Sequence, residues 1–216
     1  MWWLLIPIGG AIAQVVYDAI TEEDEAPSPP RKSTLERNIE RLKWELRSHS
    51  GRKVAIIGQP GAGKSSLLKR MTNGKVIPLP VIGTQTDATS WADDIECNLL
   101  SYYENHAFVD VPGYDTSSHP TDVFFSLFPF DEFDAFIFVT HGKLHASDEI
   151  IFRSIVSSNK HLCIAKSFSE SLKSEERRAV KNDMQTRLSI NSSVPIVFFS
   201  NRTGEGIETI SKSINC

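Results

Sequence analysis

The chain has 216 residues, of which 40% are hydrophobic and 23% charged, with a formal net charge of -4. That length and composition support one α/β domain with an appendage and argue against global disorder. No basic stripe stands out, so binding to a nucleic-acid backbone is not expected. Cys97, Cys163 and Cys216 are too few and too far apart for a disulfide framework or a zinc site. Cys97 and Cys163 fall in apolar, strand-like runs and are expected to be buried thiols; a reducing compartment fits best.

Residues 1–17, MWWLLIPIGGAIAQVVY, carry no charge, and Asp18 is the first charged side chain. As a helix they would extend about 25 Å, slightly short of a bilayer core of about 30 Å. The preferred reading is a membrane anchor over 1–20, with Trp2 and Trp3 at the headgroup boundary. Two alternatives stay open: a cleaved signal peptide, with Ala11-Ile12-Ala13 as its cleavage site but no basic n-region, or an apolar helix packed on a protein surface. Residues 21–32, TEEDEAPSPPRK, join four acids to three prolines and read as a solvated linker.

A helix is expected over 33–50. Ser33 and Glu36 form a capping box, and Leu35, Ile39, Leu42 and Leu46 make one apolar stripe. The stripe suits docking on the domain; its spacing is also that of a short coiled-coil seam. From 51 to 216 the pattern alternates. Apolar runs at 53–57, 94–103, 106–111, 134–140, 161–166 and 194–199 predict six strands. Helices are predicted at 64–72, 121–128, 147–158, 171–188 and 206–214. Such alternation implies a mostly parallel sheet with helices on both faces. Glu104-Asn105 predicts a hairpin turn, hence one antiparallel strand.

Gly58-Gln59-Pro60-Gly61-Ala62-Gly63-Lys64-Ser65 fits GxxxxGK[ST] between a strand and a helix. A loop of this kind aims backbone N–H groups at a phosphate chain, and glycines permit the backbone path. The following helix N-terminus, with Ser66 in its first turn, adds partial positive charge. Lys64 supplies a point charge to the phosphates, and Ser65 a hydroxyl to Mg²⁺.

Asp110-Val111-Pro112-Gly113 ends a strand 45 residues after Ser65 and matches DxxG. Near the C-terminus, Ser200-Asn201-Arg202-Thr203-Gly204-Glu205-Gly206-Ile207 is similar to the SAKTGEGI segment of Era-like GTPases. With the phosphate loop, these motifs resemble the P-loop GTPases of the Ras-like and translation-factor class. The pattern is most like the Era-like and immunity-related (dynamin-like) branches, over roughly 52–214. The resemblance implies GTP binding and hydrolysis to GDP, with Mg²⁺ held by Ser65, Asp110 and Thr89, Thr86 being the second choice for the last. It implies a γ-phosphate contact from the Gly113 N–H, and base contacts from Lys166 and from Ser200, Asn201 and Arg202. Lys64, Thr89 and Gly113 would carry the catalytic work, and segments near 74–91 and 113–121 would act as switches.

Two departures stand out. At the guanine-specifying [NT]KxD the chain reads Ala165-Lys166-Ser167-Phe168, so the carboxylate that accepts the base protons is missing; Glu170 is a poor substitute. Tyr114 follows Gly113 where Ras has a water-orienting glutamine, which implies slow hydrolysis until a partner or a second copy completes the site across the nucleotide face. The sequence leaves open a nucleotide-locked scaffold and an ATP-using P-loop protein. The expected setting is membrane-associated, with the nucleotide-binding domain in the cytoplasm. His141, His145 and His161 lack the companions of a metal site. His119 could approach the γ-phosphate. Phe124, Phe125, Phe128, Phe130 and Phe133 read as core, or else as a partner patch beside the switch.

Overall fold

The computed structural model describes residues 32–83, 90–190 and 193–214. The hydrophobic segment 1–20 and all of the linker but Lys32 lie outside the described residues, as do Thr84, Thr86, Thr89 and Cys216. Among the described residues, no helix is long and apolar enough to cross a membrane.

Among the described residues the first helix is α1 (Thr34–Ser48), which starts as its capping box predicts. The Ser33 Oγ accepts from the Glu36 N–H (3.2 Å), and the Ser33 N–H donates to the Glu36 carboxylate (2.6 Å), so two otherwise orphaned donors are satisfied. Leu35, Ile39, Leu42 and Leu46 are all buried in the domain core, each stabilising the packing by about 2 kcal/mol. The stripe that could have served a coiled coil is therefore covered by the chain's own core.

Among the described residues six strands follow: β1 (Arg52–Gly58), β2 (Ser101–Tyr103), β3 (His106–Asp110), β4 (Ala135–Thr140), β5 (His161–Lys166) and β6 (Ile196–Phe198). They form one sheet in the order β2-β3-β1-β4-β5-β6. All neighbours are parallel except β2 and β3, whose hairpin pairs Tyr103 with His106 around Glu104, in the left-handed region at φ 52°. The helices after α1 are α2 (Lys64–Met71), α3 (Thr121–Leu127), α4 (Ala146–Ser157), α5 (Ser174–Arg187) and α6 (Ile207–Ser213).

Strand periodicity splits the core in two. Ala55, Ile57, Phe136 and Phe138 face α1, α3, α4 and α5, whereas Val54, Ile56, Ala135, Ile137 and Val139 face α2 and α6. Phe124, Phe125, Phe128 and Phe133 are buried in the first layer, with Phe130 packed against it.

One strand is much shorter than predicted. Residues 94–100 do not pair in the sheet. The Asp94 carboxylate folds back to accept from the Glu96 N–H (2.8 Å), a local turn that competes with a ladder. The Asp94 and Cys97 carbonyls accept instead from Asn38 (2.8 Å) and Arg41 (2.5 Å) of α1. Cys97 is accordingly half-buried in a loop, while Cys163 is buried in β5. The edge strand β6 pairs with β5 alone, and backbone bonds from the Ile164 N–H to the Pro195 carbonyl (2.9 Å) and from the Phe199 N–H to the Lys166 carbonyl (2.9 Å) carry the pairing toward both ends of the predicted apolar run.

Candidate nucleotide site

The loop from Gly58 to Gly63 links the central strand β1 to α2. Gly63 is the N-cap of α2 in the left-handed region, φ 93°, where a side chain would be strained. Lys64 turns back over the loop. Its ammonium donates to the carbonyls of Gly58 (2.8 Å) and Gln59 (3.0 Å). Burial lowers its pKa to about 8, with the Asp110 carboxylate opposing the shift.

Asp110, at the end of β3, is set beside the loop by the pairing of β3 with β1, where Asp110 faces Ile56. The Ser65 hydroxyl donates to Asp110 Oδ2 at 2.5 Å. Asp110 Oδ1 is buried with no hydrogen-bond partner among the described residues. Burial raises the Asp110 pKa, against the Lys64 charge and the Ser65 hydrogen bond. An unpartnered carboxylate oxygen beside a hydroxyl is a hard-oxygen set that fits Mg²⁺.

A cavity of ≈ 280 Å³ opens over this loop. Gly61 and the run from Gly63 to Ser66 line it, together with Asp110, Gly113, Phe168 and Asn201. Gly113 approaches the loop so closely that a Cβ there would lie 2.4 Å from Pro60 Cγ. The Asn201 side-chain N–H donates to the Gly63 carbonyl (3.1 Å), tying the C-terminal motif to the phosphate loop.

Other predicted site residues frame the cavity without lining it. Gln59 donates to Asp148 (2.9 Å), and Ala62 is buried. Lys166 is buried and donates to the Gly142 carbonyl; burial lowers its pKa and the Asp148 charge opposes this. The Ser200 Oγ accepts from the N–H groups of Arg202 (3.2 Å) and Thr203 (3.1 Å), shaping the turn. The Arg202 side chain reaches Glu170 at 3.6 Å. Thr89 lies outside the described residues. His119 is buried, its Nε2 accepting from the Trp91 N–H (3.2 Å) and its ring edge-on to Phe124; it does not line the phosphate-loop cavity.

A model of the family described as 50S ribosome-binding GTPase matches residues 53–167, more than half of the chain. The chain belongs to that GTPase family. GTPase Der of Hamiltonella defensa subsp. Acyrthosiphon pisum (strain 5AT) is 25% identical over 171 residues, which cover 75% of this chain and 33% of that protein. The chain thus spans about a third of the length of that curated relative. Among solved structures, a probable GTP-binding protein engB aligns with a TM-score of 0.56 at 17% identity, covering 76% of this chain and 96% of its own. A variant of Aquifex aeolicus Era bound to GDP and AlF4⁻ aligns with a TM-score of 0.56 at 20% identity, covering 75% and 55%. Both likenesses are of fold.

Within this GTPase frame, Asp148 is a residue that sequence reasoning missed. It is buried in the first turn of α4. Its carboxylate accepts from the Tyr114 hydroxyl, from Gln59 (2.9 Å) and from the His145 N–H (2.7 Å). It thereby joins the phosphate loop to the residue after DxxG. Burial and the Asp148 charge hold the Tyr114 pKa well above the ordinary phenol value. The available signal was His145-Ala146-Ser147-Asp148, an acid three residues into a helix start.

Proposed function

We propose that this protein binds GTP with Mg²⁺ in the phosphate-loop cavity and hydrolyses it to GDP and phosphate, as a nucleotide-dependent switch tethered to a membrane by residues 1–20. The supporting observation is the set Lys64, Ser65 and Asp110, preset on one loop and one strand end with Asp110 Oδ1 unpartnered among the described residues. The loop amides and Lys64 hold the phosphate chain, and the Gly113 N–H faces the γ-phosphate. Ser65 and Asp110, with Thr89, are the residues to hold Mg²⁺, which supplies charge neutralisation on the phosphate oxygens.

Intrinsic turnover is slow on this reading. Tyr114 is buried and spends its hydroxyl on Asp148, so it does not orient a water. That observation also favours a second reading, a nucleotide-bound scaffold with little hydrolysis. Phosphate release measured against protein concentration separates the two. A specific rate that rises with concentration supports activation by a second copy across the nucleotide face. No turnover at any concentration leaves the scaffold.

Binding is tested by titrating GTP and ATP with Mg²⁺ into wild type and Lys64→Ala. Loss of nucleotide affinity in the variant is expected, and retained affinity refutes the assignment. Tethering is tested separately. Deleting residues 1–20 should move the protein from the membrane to the soluble fraction, with the nucleotide-binding domain on the cytoplasmic side; continued sedimentation with membranes refutes the anchor.

A further inference from the structure

Phe168 stands where the family motif has its base-reading carboxylate, and the structure gives it an unusual setting. Its backbone is left-handed, φ 59° and ψ 41°, a conformation that bulky residues rarely adopt. Both neighbours are pinned. The Ser167 N–H and hydroxyl donate to the Thr140 carbonyl (2.9 and 3.1 Å). The Ser169 N–H donates to the Phe199 carbonyl (3.1 Å) and its hydroxyl to Glu205 (2.7 Å). Ser167 and Ser169 are buried, yet the Phe168 ring between them is 47% exposed and lines the phosphate-loop cavity. The His141 ring lies 4.4 Å from it, tilted by 47°. Strain held by pinned neighbours, with an apolar ring presented to a ligand cavity, points to a role in binding.

We infer that Phe168, backed by His141, is the platform on which the base of the bound nucleotide stacks, and that the site does not read the 2-amino group of guanine. The inference rests on the cavity binding a nucleotide, as proposed above. Stacking uses the π-face that every base has, so it holds a base without selecting its edge. Strong selection needs buried polar groups left unpaired by the wrong ligand. The acid nearest in sequence, Glu170, reaches Arg202 through Oε1 at 3.6 Å, and although its Oε2 is buried with no partner among the described residues, the residue does not line the cavity. Asn201 does line it, and its Oδ1 is buried with no partner among the described residues. A single neutral acceptor replaces only part of a bidentate charge-assisted contact.

The experiment is equilibrium titration of the full chain with Mg²⁺ and GTP or ITP. ITP differs from GTP only by lacking the 2-amino group. The expected wild-type affinities for GTP and ITP lie within about tenfold of each other. Phe168→Ala should weaken both about tenfold or more, and equally. Phe168→Asp should create a preference for GTP over ITP that the wild type lacks. A wild-type preference above about a hundredfold overturns the inference, and its loss in Glu170→Ala would reassign base reading to Glu170. Unchanged affinities in Phe168→Ala, or an unchanged GTP to ITP ratio in Phe168→Asp, also overturn it. The wild-type ratio needs no variant to fold. Failure of the cavity reading looks different: wild type and Lys64→Ala would then bind no nucleotide at all.

Discussion

Asn38→Ala tests whether α1 is an integral part of the nucleotide-binding domain. Asn38 is fully buried, and its side-chain amide donates to the carbonyls of Trp91 (2.7 Å) and Asp94 (2.8 Å), while its oxygen accepts from Arg41 (3.1 Å). The Trp91 bond is buried and the Asp94 bond partly so. Alanine leaves the first carbonyl without a donor in a dry site, at a cost of about 1–3 kcal/mol, and the second where water can reach it, at about 1 kcal/mol. The sum is about 3 kcal/mol, or about 6–12 °C in Tm for a domain of this size. Urea unfolding of the two proteins measures it directly. Asn38→Asp provides a control for packing: it keeps the volume but removes both donors, so it should destabilise at least as much as alanine. A midpoint for Asn38→Ala within about 0.5 kcal/mol of wild type would refute the reasoning, as would full stability of Asn38→Asp.

Three further outcomes are expected. Tyr114→Phe removes a buried hydrogen bond to a carboxylate and should cost about 1.5–3 kcal/mol in thermal unfolding; an unchanged Tm would mean that the Asp148 hub holds nothing. Gly113→Ala places a Cβ 2.4 Å from Pro60 Cγ and 2.7 Å from Pro60 N. Because loop backbone must then shift, GTP turnover should fall about a hundredfold while circular dichroism stays native. The third concerns Lys64, whose pKa burial depresses from 10.5 to about 8. Below pH 8 the nucleotide-free protein bears the cost of a charged buried ammonium. Between about pH 8 and 10.5 the unfolded chain binds more protons than the folded one, so stability relative to Lys64→Met should rise with pH, by up to about 3 kcal/mol. A flat difference across that window in urea titrations would contradict the burial argument.

Local chemistry was enough for several elements. The α1 start is legible because a capping box is satisfied within four residues, and its stripe because a helix repeats every 3.6 residues. The phosphate loop is legible because its donors are backbone groups whose path the glycines permit. β2 was legible only at its hairpin end. Residues 94–100 read as strand by apolarity, but a carboxylate turn and two side chains from α1 hold their backbone groups instead.

The sequence by itself determined the order of strands and helices, the cradle from Gly58 to Ser65, and the loss of an acid at Phe168. It could not show that Asp148 gathers Tyr114 and Gln59, that Asn38 holds the chain beyond residue 90, or that the Phe168 ring lines the cavity. Spacing along a chain encodes contacts made within a turn or across a hairpin. Contacts between residues 34 to 89 positions apart exist only once folding has brought separate helices and loops together.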